Sequence, residues 1–435
     1  MRLLCSLLLV GVCACGDDAA PGDASAPDAT DASMDAVVVD AFRPDAGTDT
    51  GLFFDAGPDP TGCELLDDAG ATDAGAMDAG DFEPPPPTAP ALAGPGGPAR
   101  TFTEDELRSA CAHLDGGERD RDHHNTVFML DGYLWMPWAH EGGVGGLSVF
   151  EFDDPCAPVP VATVVHDDMR ETHAAGYTWL PNLDGELRRF MVVTSLTGIQ
   201  FWDVTDPAAP AMVTDMPLPG VVYPDSYARV VMSTFWQAPY VFVGASDNGI
   251  FVVDATHPEA PELVVQFEPR PKFRVGGVHA IGTRLYVFPS EGTRSAIVDI
   301  ADPRNPRALP GASWRTDDGT VDRLGRPRVQ SAYFAHVSGY RAFYARNLLG
   351  GGLMIYDTTD PTRATLESYW QAIDVPANGG YVFVKEDEAF VGLSNHGVVL
   401  DISDRSAPSR TARIDHVGDV DTLVPVGNVI AVSVD

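Results

Sequence analysis

The sequence predicts an all-β fold, a β-propeller of six to seven four-stranded blades, preceded by a long acidic tether. Three observations predict it. An apolar segment ending in an acid and a turn recurs six times at a spacing near 50 residues. Each copy reads as short strands divided by turn residues. The first hundred residues differ in composition from all that follows. Radial repetition of such units removes the exposed sheet edges that isolated strands would present.

The chain has 435 residues and a formal net charge of −35, unevenly divided. Residues 16–100 hold 18 acids against Arg43 and Arg100, a net of −16, with few aromatics and many Asp-Ala-Gly and Pro-Asp-Ala motifs. Such a stretch buries too little apolar surface to offset the entropy of ordering, so 15–100 reads as a disordered tether. Residues 101–435 carry a net of −20 and nearly all the aromatics. Neither part supplies the basic surface that phosphates require, which excludes a nucleic-acid binder driven by charge. No apolar run reaches the length of a membrane span, which excludes a polytopic helical membrane protein.

At the start, Met1-Arg2 precedes an apolar run from Leu3 to Val12, the pattern of a secretory signal over 1–14. Val12-Cys13-Ala14-Cys15 resembles a bacterial lipobox, with Cys15 as the lipidated residue because the small Ala14 precedes it. The resemblance implies anchoring to the membrane by acyl chains alone. Gly16 rather than Asp follows Cys15, which by the same resemblance places the protein at the outer membrane or cell surface. Of the other cysteines, Cys63, Cys111 and Cys156 remain after signal removal, enough for one disulfide and not for a closely spaced metal cluster. Between tether and repeats, 101–119 is a short helical segment: Thr103 with Glu106 forms a capping-box pattern, and Leu107, Ala110, Cys111 and Leu114 make a stripe.

The repeat organises 120–435. The aligned acid is Glu151, Asp203, Asp254, Asp299, Asp357 and Asp401, at spacings of 52, 51, 45, 58 and 44. In the sixth unit the expected strands are 381–385, 389–393, 398–402 and 409–414, with Gly397 in a turn free to take positive φ. Residues 421–426 and 429–434 match the first two strands of a seventh unit, left incomplete or closed by another segment. Ile-Val-Asp-Ile-Ala-Asp-Pro at 297–303 and Phe-Val-Val-Asp-Ala-Thr-His-Pro at 251–258 resemble the LVIVD repeat of secreted and surface bacterial β-propellers. The resemblance covers about 120–435 and implies a fold, with no common activity attached. The sixth copy departs from it, with Arg405 in place of proline.

Chemistry is harder to find. Six acids at one structural position read as turn caps, since a catalytic site needs a few convergent groups. His124, His173, His279, His336 and His416 fall at or just before the first strand of five units. First strands line a propeller's channel, so these imidazoles, with Asp122, Asp168 or Asp419, are candidates for a divalent-metal site. Seven tryptophans, including Trp135-Met136-Pro137-Trp138, are either inter-blade core or a platform for a sugar or peptide. No phosphate loop, nucleophile elbow or His-Glu-x-x-His motif is present. The sequence therefore points to an envelope binding or scaffold module for a protein or glycan, with no cofactor called for. A metal-dependent, hydrolase-like envelope enzyme and an adhesion module are the alternatives.

Overall fold

The computed structural model describes residues 102–103 and 126–435, apart from 140–143, 155, 171, 224–227, 347–350, 373–378, 428 and 435. The signal, Cys15, the tether, all but Phe102 and Thr103 of the expected helix, Asp122 and His124 lie outside the described residues. All described secondary structure is β-strand, so no helix there is long and apolar enough to cross a membrane.

Six antiparallel meanders follow one another as blades. Blade 1 is β1 (Phe128–Leu130), β2 (Tyr133–Ala139), β3 (Gly145–Glu151) and β4 (Val159–His166). Blade 2 is β5 (Gly176–Pro181), β6 (Leu187–Thr194), β7 (Gly198–Asp203) and β8 (Ala211–Pro217). Blade 3 is β9 (Ser233–Gln237), β10 (Tyr240–Gly244), β11 (Ile250–Asp254) and β12 (Glu262–Phe267). Blade 4 is β13 (Val275–Ile281), β14 (Arg284–Pro289), β15 (Arg294–Asp299) and β16 (Arg307–Arg315). A hairpin, β17 (Asp317–Val321) and β18 (Pro327–Val329), is inserted next and accounts for the longest spacing in the repeat, 58 residues. Blade 5 is β19 (Ala332–Ser338), β20 (Arg341–Arg346), β21 (Gly352–Asp357) and β22 (Thr365–Gln371). Blade 6 is β23 (Val382–Lys385), β24 (Glu388–Gly392), β25 (Ser394–Asp401) and β26 (Ser409–Val426), extended by β27 (Val429–Val434).

First strands lie against one another, β5 on β9, β9 on β13, β13 on β19 and β19 on β23, so they line the centre. Third strands are continuously apolar because both of their faces are buried between blades. In blade 3, Phe251 and Val253 pack with Val241 and Val243 toward blade 2, whereas Ile250 and Val252 pack with Phe242 toward blade 4. Successive side chains of a strand point to opposite faces, so one strand serves two interfaces.

The repeat acid is the last residue of the third strand in every blade. Oδ1 of Asp203, Asp254, Asp299, Asp357 and Asp401 accepts the N–H two residues on, at 2.8–3.1 Å. Glu151 fills the equivalent place in blade 1 with a longer side chain. Three residues after each acid, a second turn closes with an N–H bonding back to the carbonyl of Asp154, Asp206, His257, Asp302, Asp360 or Asp404, at 2.8–3.1 Å. In blades 2 to 5 the proline follows that residue, inside the turn. Arg405 leaves the turn intact: Ala407 N still donates to Asp404 O at 3.0 Å. In all six blades the pairing of third and fourth strands shifts register just before or beside the motif's last apolar residue, and in blade 6 it shifts a second time between Ser394 and His396. A bulge there raises the local twist of the outer edge.

Two expectations for the last unit change. Residues 421–426 do not begin a separate sheet: β26 runs unbroken from 409 to 426, and β27 pairs with its second half. Val420, Leu423, Ile430 and Val432 of this extension pack on Phe383, Phe390 and Val399, as a neighbouring blade would. Gly397 lies within β25 rather than in a turn, and has no positive φ. Its requirement is close approach, since a Cβ there would meet Leu423 Cδ2 at 2.6 Å. Phe102 joins the same cluster, edge-on to Phe390 at 5.9 Å, with its N–H donating to Glu388 Oε1 at 3.1 Å. Burial pushes the Glu388 carboxyl above its ordinary range. Cys156, in the turn after β3, is disulfide-bonded.

Candidate functional site

Register identifies a belt of side chains around the channel. In blade 3, Tyr240 pairs with the repeat acid Asp254, and the residue two further on, Phe242, pairs with Phe235 of the first strand. The same step from Glu151, Asp203, Asp299, Asp357 and Asp401 leads to Phe128, Gly176, His279, His336 and Phe383. Histidine thus stands in blades 4 and 5 where phenylalanine stands in blades 1, 3 and 6. The rings contact in sequence: Phe235–His279 at 4.3 Å, His279–His336 at 6.0 Å and His336–Phe383 at 5.3 Å. In blade 2 glycine takes the position because a Cβ at Gly176 would meet Trp236 Cβ at 2.8 Å, and Tyr177 beside it stacks on Phe128 at 5.8 Å.

Burial, with a smaller effect from His336, pushes the His279 imidazole down to a pKa of about 3. Burial alone lowers His336 to about 4. Both rings are therefore neutral at physiological pH, with one nitrogen lone pair each. Neither imidazole makes a hydrogen bond with the described residues.

The other expected ligands are dispersed. His173 precedes β5, is buried, and stacks on Phe334 at 5.5 Å and Tyr381 at 6.3 Å, two residues along β19 from His336. Phe334 and Tyr381 stack on each other at 4.3 Å, so this part of the channel is a wall of rings. Asp168 sits in an exposed turn, its N–H donating to His166 Nδ1 at 3.2 Å. The side chains of His416 and Asp419 lie outside the described residues, although their backbone belongs to β26. Among the described residues no three His, Cys, Asp or Glu side chains form a group able to hold a metal.

One polar network lay outside the sequence-based candidates. Gln200 Nε2 donates to His166 Nδ1 at 3.1 Å, and its Oε1 accepts from Trp202 Nε1 at 3.3 Å. Burial raises the neighbouring Asp215 carboxyl. The signal for this network is a glutamine inside the apolar Ile-Gln-Phe-Trp-Asp run. Of the seven tryptophans, Trp135, Trp138, Trp202 and Trp236 are core and Trp179, Trp314 and Trp370 are partly buried; Trp138 Nε1 donates to Ser148 Oγ at 3.1 Å.

On the surface, the inserted hairpin presents Val321, Leu324 and Val329, with Leu324 69% exposed. Its tip is tightly held. Asp322 Oδ1 accepts from Leu324 N at 2.8 Å and Arg326 N at 3.0 Å, and Gly325, at φ +76°, donates to Asp322 O at 2.9 Å. These bonds from Arg326 hold the Asp322 carboxyl below its usual range.

The LVIVD repeat, as a family, matches residues 238–268 and 371–415, the segments running through blades 3 and 6. No curated protein matches the chain. Solved structures that resemble it include the periplasmic gluconolactonase of Pseudomonas aeruginosa, 13% identical over 66% of this chain and 83% of that one, TM-score 0.48. A hypothetical selenium-binding protein from Sulfolobus tokodaii is 12% identical over 65% of this chain and 76% of that one, TM-score 0.48. BamB from Moraxella catarrhalis is 12% identical over 73% and 95%, TM-score 0.44. The chain is thus a six-bladed β-propeller that carries the LVIVD repeat in two of its blades, with the same strand, acid and turn recurring in the others.

Proposed function

We propose that this protein is a lipoprotein of the bacterial cell envelope, held at the outer membrane or cell surface by acylated Cys15, whose propeller is a binding module for a protein partner. The observation that carries the binding role is the β17–β18 hairpin. Among the described residues it is the one hairpin inserted between blades, its tip is fixed by Asp322, and it exposes three aliphatic side chains. Exposed apolar groups on a preorganised loop lower the cost of ordering an interface. The aliphatic surface favours a protein over a glycan, because every tryptophan is buried or partly buried and none is exposed to stack on a sugar. The lipobox-like residues and the acidic tether support the anchoring, the tether's self-repulsion giving reach.

In growing cells an alkyne fatty acid should label the full chain, and Cys15→Ser should abolish the label. A photo-crosslinking residue at Leu324 should yield a discrete adduct with one envelope protein; the same residue at exposed Val165 of β4 should not. Labelling that survives Cys15→Ser removes the anchor from the proposal, and equal adducts at both positions remove the hairpin.

A further inference from the structure

We propose that His279 and His336 form a two-imidazole binding site for a late first-row transition ion, copper or zinc, open to the central channel. The two residues occupy the same register position on adjacent innermost strands, so the fold itself fixes their separation. With metal–nitrogen bonds of about 2.0–2.1 Å, two imidazoles on one ion place their ring centres roughly 5–6.5 Å apart. The observed separation is 6.0 Å. Their planes lie at 67° to each other, and neither ring is tied by a hydrogen bond to the described residues, so rotation about χ2 can turn a nitrogen of each toward one point.

The setting fits such an ion. Both rings are neutral, the form that donates a lone pair, and imidazole is a ligand suited to copper and zinc. No carboxylate among the described residues contributes to the shift of either ring, and an all-nitrogen pair disfavours magnesium or calcium. Phe235 and Phe383 flank the pair, and water or a small ligand would complete the shell of the ion. The register also explains why the pair is isolated: the positions on either side of it in the belt are phenylalanines.

The test uses the mature chain and Cu(II) as the probe. Electron spin-echo modulation of the one-equivalent Cu(II) complex should show two equatorial imidazoles. His279→Phe and His336→Phe give each blade the residue that blades 1, 3 and 6 already carry, so both variants should fold. Each should weaken Cu(II) binding at least tenfold and remove one imidazole from the spectrum. His257→Ala, at an exposed turn, should change neither. A Zn(II) titration followed by melting temperature should stabilise the parent chain and not the double variant. A two-imidazole spectrum that persists in folded His279→Phe/His336→Phe protein, or its absence from the parent, overturns the proposal.

Discussion

His279 and His336 are basic residues held without charge, and this couples folding to pH. In the unfolded chain each takes up a proton near its ordinary value of 6.5; in the folded channel, uptake waits until about 3 and about 4. The unfolded state therefore binds more protons between these limits. Stability is full above pH 6.5 and falls as pH drops toward about 4, by at most about 1.4 kcal/mol per pH unit for each group. The rings in contact with the pair are Phe235, Phe383 and one another, and among the described residues no carboxylate contributes to either shift. Asp357, Asp360, Asp401 and Asp404, whose carboxyls are lowered by hydrogen bonds from the side chain and N–H two residues on, act in a separate window, losing their contribution as pH falls below about 4. Urea denaturation at pH 7.5 and 5 should show the loss, and His279→Phe/His336→Phe should flatten it. The sequence shows these histidines near first strands, but their equivalence appears when β13 and β19 are aligned through their partners. Counted from the strand starts, blade-to-blade differences in strand length hide it.

The unit that joins third to fourth strand was the most legible element, because acid, second acid and proline do their work through bonds two or three residues long. Short-range bonds leave a local signature in sequence, and six copies reinforce one another. Arg405 provides a test of the unit. Its N–H makes no hydrogen bond, and the turn has the same closure as in copies with proline. Arg405→Pro should therefore stabilise the protein by about 0.5 kcal/mol, mainly by restricting the unfolded chain, at the cost of weak contacts to Ile402 O and Asp387. Chemical denaturation of the variant against the parent checks it; a decrease would show that those contacts matter more than chain entropy. The β17–β18 hairpin was not legible beyond the long spacing around it. Its strands are exposed on most sides, so no alternation of apolar and polar residues marks them. The ends of β26 were hidden for the opposite reason: one long strand carries two patterns, first as an outer edge and then as a partner for β27.

For the molecule as a whole, the number and order of blades could be read from the repeat, while the covering of the last blade could not. That covering comes from Phe102, nearly three hundred residues away from Glu388, and from the β26–β27 extension, so it depends on a contact of very high sequence separation. Phe102→Ala should cost roughly 3 kcal/mol, as expected for a buried ring lost from a packed cluster. Hydrogen exchange should localise the effect to blade 6, and uniform loosening of all blades would contradict it.

The alternating faces of the middle strands have one more consequence. Because each strand gives its odd residues to one seam and its even residues to the next, the seams between blades 2 and 3, 3 and 4, and 4 and 5 each share their walls with the seams on either side. Stability then resembles a row of nearest-neighbour couplings rather than one central reserve. A defect at a single seam weakens both adjoining blades directly and more distant ones only through them, so damage travels from blade to blade in steps.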